Sequence, residues 1–127
     1  ITVCTAMISA LTGTSVRSDI AMTGEISIRG RVLPIGGLKE KTMAAMRHGV
    51  RTVIIPKANE RDLEEIDPTV RKALNFVTAE NVGTVLETAL NTKHPDMLSG
   101  ILTSIPEDMK QKTKILLMKN MKLFVII

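Results

Sequence analysis

An α/β fold, with at least part of its sheet parallel, is what this sequence predicts. Three observations carry the prediction. Helical and strand patterns alternate from residue 37 to residue 91, the element order of α/β chains. The run TVIIP at 52–56 is continuous and β-branched, as in a strand covered on both faces. With 44% apolar and 24% charged residues over 127 positions, the chain suits one globular domain with a modest core.

Each element follows from local pattern. Residues 1–12 carry Val3, Met7, Ala10 and Leu11 at helical spacing, with Gly13 as a stop, and predict a buried helix. Residues 16–28 are extended, Arg29-Gly30 makes a turn, and Val32–Ile35 is a second short strand with Pro34 near its end. Gly36-Gly37 opens a helix that reaches His48 and stops at Gly49. After the 52–56 strand, residues 59–66 read as helical with Asn59 as N-cap. Asp67-Pro68 breaks that helix and opens the next, to about Leu74. Phe76–Thr78 is a further strand, and Asn81 caps a helix over 82–91 whose apolar face is Val82, Val85, Leu86, Ala89 and Leu90. Residues 92–114, polar and broken by two prolines, read as a loose, partly helical tail. The final run, ILLMKNMKLFVII, is apolar but too short to span a bilayer.

Composition narrows the function classes. There is no Trp or Tyr and only two Phe, which removes base stacking as a working mechanism. The net charge of +4 comes from cations interleaved with acids rather than from a basic stripe, so nucleic acid is not an expected partner. The single Cys4 forms no internal disulfide; it sits in an apolar run and reads as a buried thiol in a reducing, cytoplasmic setting. His48 and His94 lack partners at metal-ligand spacing and read as surface residues.

The stretch with chemical potential is MTGEISIRGRVLPIGGLKEK, residues 22–41. On a helical wheel, Leu38, Thr42, Ala45, Met46 and Gly49 cluster within about 80°. Lys41 flanks that face about 40° from Ala45, and Lys39 flanks the other side about 20° from Met46. Both can snorkel, with packed stems and wet ammonium groups. Alternatively one turns inward, where loss of water favours the free amine and makes a lysine a usable general base. The wheel does not choose between them. Thr23 is equally open: strand threonines are common, but the adjacent Gly24 suggests close approach by another backbone or a ligand.

The run from MTGE through LPIGGLKEK to IIPKANERDLEEI, with ITVCTAMISALTGTSVRSDIA before it, strongly resembles the proteolytic domain of bacterial ATP-dependent Lon proteases. The resemblance covers residues 1–91, leaving 92–127 as a tail of unassigned role. It implies a Lon proteolytic-type fold (ribosomal S5 domain 2-like), a mixed sheet with flanking helices. It implies a serine–lysine dyad in which Lys41, the second lysine of GGLKEK, is the general base and Thr23 helps hold its amine toward the serine. A serine hydroxyl needs such a base, and backbone N–H groups stabilise the oxyanion. In the family the nucleophile lies in a Gly-Pro-Ser-Ala-Gly segment, which by alignment would end just before Ile1. None of Ser9, Ser15, Ser18 or Ser27 lies in such a motif, so none inherits the role. Residue 1 is Ile rather than Met, which reads as a truncation, and the isolated chain is expected to be inactive. The resemblance implies ATP and Mg in a motor module outside this chain, so no phosphate-cradling loop is expected here; Gly36-Gly37 is a helix entry and not a GxxxxGK[ST] loop. The implied whole is a cytoplasmic homo-hexamer acting on unfolded or regulatory proteins, with no membrane association. The competing reading is a non-catalytic Lon-like module of a bacterial DNA-repair ATPase, which shares the glycine–glutamate strand and the IIPK strand but generally lacks the dyad lysine.

Overall fold

A computed structural model describes residues 1–91. The readings of residues 92–114 and 115–127, and of His94, lie outside the described residues. The elements are helix α1 (Thr2–Thr12), strands β1 (Ile20–Met22), β2 (Glu25–Ile26) and β3 (Val32–Leu33), helix α2 (Leu38–Arg47) and strand β4 (Thr52–Pro56). A 3₁₀ segment (Lys57–Glu65), helix α3 (Pro68–Ala73), strand β5 (Asn75–Ala79) and helix α4 (Val82–Ala89) follow.

Strand β4 organises the domain. It pairs in parallel with β1 on one side and β5 on the other, giving the order β1-β4-β5. Its five residues are all buried, which is why its sequence lacks the polar alternation of a one-sided strand. The pleat divides its side chains between two cores. Val53 and Ile55 join Leu38 and Ala45 of α2, Ile66, Val70 of α3 and Leu74. Ile54 points the other way, into a cluster with Ile1, Val32, Ala79, and Val85 and Ala89 of α4. The α/β class with a parallel sheet is therefore the observed one. β2 and β3 form a separate antiparallel hairpin, pairing Glu25 with Leu33 and Ile26 with Val32. Its strands are shorter than expected: Pro34 ends β3 after Leu33, so Ile35 belongs to a connecting loop.

Local chemistry sets most boundaries. Gly13 takes a left-handed conformation at φ 65° and closes α1. The Asp67 carboxylate accepts from the Thr69 N–H at 2.7 Å with Pro68 in the first turn, and the Asn81 side chain accepts from the Thr84 N–H at 3.1 Å.

Three expectations need correction. Asn59 does not cap a helix. The segment is a 3₁₀ run starting at Lys57, Pro56 precedes it without a side-chain cap, and Asn59 lies inside it, buried. The reason is tertiary: its amide has partners on another loop, described below. Second, α1 is not a buried helix among the described residues. Thr5 is its one buried residue, and Leu11, assigned to the apolar stripe, is 69% exposed. Apolar residues are spread around this helix, so spacing alone picked the wrong stripe; contact with the core is made near Ile1 and Thr5. Third, Cys4 is half-buried rather than buried, although burial is still enough to push its thiol pKa up.

Candidate active site

The parallel strands of an α/β sheet present their carboxyl ends at one edge, the usual location of binding sites. Thr23 stands directly beyond the end of β1. Its N–H donates to the Ile54 carbonyl at 3.0 Å, so β4 holds its backbone in place. The residue is buried, at 7% exposure.

Beside it, Gly24 is closely surrounded. A side chain there would put its Cβ 3.0 Å from Val32 Cγ1 and 3.4 Å from both Ile1 Cδ1 and Pro56 Cγ, at a φ of +156°. The Gly24 carbonyl accepts from the Ile1 nitrogen at 2.7 Å, and the Thr2 hydroxyl donates to the Met22 carbonyl at 3.3 Å. The start of α1 therefore lies against the Met22–Gly24 segment. The expectation that Gly24 marks a close approach is met by this packing.

The α2 wheel now resolves. Leu38, Thr42 and Ala45 are buried, Lys39 is exposed and Lys41 is half-buried. Lys41 Nζ donates to Thr23 Oγ1 at 3.4 Å, the long end of the hydrogen-bonding range. Lys39 is exposed on α2. Asp67 at the start of α3 is held below its ordinary pKa, first by the Thr69 backbone N–H and more weakly by the charge of Lys39. The two lysines thus differ in burial and in partner, which the wheel could not establish. A third cation at this edge, Lys57, is paired with Glu80 at 2.7 Å. That bond raises the lysine pKa and lowers that of the carboxylate.

An amine that directs one N–H onto a threonine oxygen has its remaining valences fixed in direction. Among the described residues no group of three or more His, Cys, Asp or Glu side chains could hold a metal ion. No helix among them is long and apolar enough to cross a membrane.

Asn59 is the buried residue that sequence reasoning misplaced. Asn before a helical run is a strong N-cap signal, and only the folded chain brings Ile35 to it.

The profile of the Lon protease (S16) C-terminal proteolytic domain matches residues 1–92. Lon protease 1 of Myxococcus xanthus is 57% identical over 96 residues, 76% of this chain and 12% of that protein. The Haemophilus influenzae Lon protease is 59% identical over 90 residues, 71% of this chain and 11% of the relative. Lon protease 1 of Bacillus subtilis is 56% identical over 90 residues, 71% of this chain and 12% of the relative. The chain spans only about an eighth of the length of such relatives, but the matched stretch holds β1 to α4 entire, with Thr23 and Lys41 in it. By that match, and with the mixed α/β architecture described above, the chain belongs to the family of Lon protease C-terminal proteolytic domains.

Proposed function

We propose that residues 1–91 are the part of a Lon-type serine peptidase domain that supplies the general base. Lys41 takes the proton of a serine hydroxyl, and Thr23 holds the Lys41 amine in the direction of that serine. The observation that carries the reading is the 3.4 Å contact from Lys41 Nζ to Thr23 Oγ1, beside the point where the Ile1 nitrogen meets the Gly24 carbonyl. The Ile1 nitrogen lies against Gly24, next to Thr23 in the chain, and this supports a family Gly-Pro-Ser-Ala-Gly segment joined there bringing its serine to the amine. The serine attacks the peptide carbonyl, the lysine passes the proton to the leaving amine, and water then hydrolyses the acyl-enzyme. The 127 residues contain no such segment, and alone they are proposed to be inactive. The whole protein is proposed to be an ATP-dependent, cytoplasmic homo-hexamer that degrades misfolded and regulatory proteins. Its ATP and Mg belong to a motor module, and no residue of this chain is assigned to them.

The test is a chimera. Residues 1–90 replace the matching stretch of the Bacillus subtilis relative, which is 56% identical over 90 residues. The chimera is expected to cleave an unfolded protein substrate, and changing the serine of the Gly-Pro-Ser-Ala-Gly segment to alanine is expected to stop it. A folded, hexameric chimera without peptidase activity would overturn the reading.

Thr23→Val in the same chimera keeps the β-branched shape, which suits the extended backbone, and removes the hydroxyl. Turnover is expected to fall while the melting temperature of the 127-residue chain changes little. An unchanged rate would reduce Thr23 to a packing residue.

A further inference from the structure

Helix α2 is reached through Pro34-Ile35-Gly36-Gly37, a connection with two glycines, and it starts without a side-chain cap on Gly37. Among the described residues, two hydrogen bonds tie residues 34–37 to another element. Both are at Ile35 and both go to one side chain. The Ile35 N–H donates to Asn59 Oδ1 at 3.0 Å, and Asn59 Nδ2 donates to the Ile35 carbonyl at 2.9 Å. The second Nδ2 hydrogen goes to Asp62 Oδ2 at 2.6 Å. That third bond sets the orientation of the amide. Turned over, Asn59 would set NH₂ against N–H at Ile35, and its oxygen against both the Ile35 carbonyl and the Asp62 carboxylate. The 3₁₀ conformation supplies the register, because it eclipses residues three apart and stacks Asp62 on Asn59.

Asn59 itself is 4% exposed and sits just past the end of β4. Ile54 of β4 accepts the Thr23 N–H. One continuous stretch, residues 54–59, therefore locates both members of the Lys41–Thr23 pair. Thr23 is held directly, and Lys41 is held through Ile35 and the first turn of α2, where the Lys41 N–H donates to the Gly37 carbonyl at 3.2 Å.

We propose that Asn59 is a positioning residue for Lys41: its amide, oriented by Asp62, clamps the Ile35 backbone and so sets the approach of the Lys41 amine to Thr23. The inference rests on the reading of Lys41 as the general base. A clamp that merely stabilised the loop would alter melting and leave turnover per folded molecule unchanged, whereas a positioning clamp alters turnover.

The experiment uses the full-length chimera, assayed well below its melting temperature with the folded fraction measured by circular dichroism. Asn59→Asp is nearly isosteric and keeps an acceptor for the Ile35 N–H, but it sets oxygen against the Ile35 carbonyl and Asp62. Asn59→Ala removes both bonds. In each, kcat per folded molecule is expected to fall about 10–100-fold with KM little changed, since a misplacement near 1 Å costs on that order. Hydrogen exchange at the Ile35 amide is expected to accelerate in parallel. Faster exchange with unchanged kcat would reduce Asn59 to a structural clamp and overturn the proposal. If neither variant folds, Asp62→Ala decides: it leaves the Ile35 partners in place and frees the amide to turn, and an unchanged kcat would overturn the proposal. Lys41→Gln runs alongside. If it stays active, the base assignment falls and takes the positioning role with it. If it is dead while the Asn59 variants keep full kcat, the positioning role falls alone.

Discussion

Lys41→Gln in the chimera is expected to lower peptide hydrolysis by about 10²–10⁴-fold, the usual cost of losing a positioned base, and by more where base and nucleophile act as a unit. Glutamine keeps much of the length and an N–H for Thr23 Oγ1, but it cannot take a proton from a serine. The loss is expected in kcat, because the lysine is assigned to the reacting proton and not to substrate binding. Lys39→Ala is the matched control. Lys39 is exposed and makes no hydrogen bond to Thr23, so its removal should leave the rate nearly unchanged and stability within the roughly 0.5 kcal/mol typical of surface changes. Steady-state kinetics on both variants, with an active-site acylating probe to count competent sites, makes the comparison. A dead Lys39→Ala beside an active Lys41→Gln would show the wrong lysine to have been chosen.

The second large effect is on stability. Ile54 is fully buried at the centre of β4 and packs against Ile1, Val32, Val85 and Ala89. Ile54→Ala should therefore open a cavity between the sheet, α4 and the start of α1. Substitutions of this kind cost about 2–5 kcal/mol, a large part of the roughly 5–15 kcal/mol that holds a typical domain. For a domain of this size each 1 kcal/mol shifts Tm by roughly 4–8 °C, so a melting curve of the 127-residue chain should move down by at least about 8 °C. A shift of only a degree or two would mean that the site collapses around the smaller side chain, and that Ile54 is not the keystone between Thr23 and α4.

Much of this architecture was legible in the chain. The β4 run TVIIP announced a strand buried on both faces because a parallel sheet with helices on each side leaves no polar face to encode. The starts of α3 and α4 were legible because Asp67 and Asn81 bond to backbone two and three residues away, so the signal and its cause are both local. Gly13 and Gly49 likewise mark helix ends through their own φ of 65° and 74°. Composition, the paired lysines and the glycine after Thr23 were enough to nominate the MTGE–GGLKEK stretch. The resemblance to Lon proteolytic domains, carried by those same residues, nominated Lys41 and Thr23 within it.

Tertiary structure decided what depends on distance through space. Lys39 and Lys41 border the same apolar stripe, and a wheel assigns them equivalent flanks. They separate because β1, placed against β4, brings Thr23 to the flank of Lys41, while Lys39 on the other flank stays exposed. Asn59 carried a valid local signal for a helix cap, yet its amide found the backbone of Ile35, 24 residues away. A buried amide with three available partners outweighs one exposed capping bond, since each unpaired buried polar group costs about 1–3 kcal/mol. For α1 the failure was of another kind. Apolar residues lie around the whole helix, so the sequence held no single stripe to read, and the covered side was chosen by where Ile1 inserts beside Ile54 and Val32. What the sequence by itself determined was the set of elements and the reactive groups they carry. Which of those groups meet was decided by the packing of β4 between β1 and β5, because contact between residues far apart in the chain is a property of the closed core.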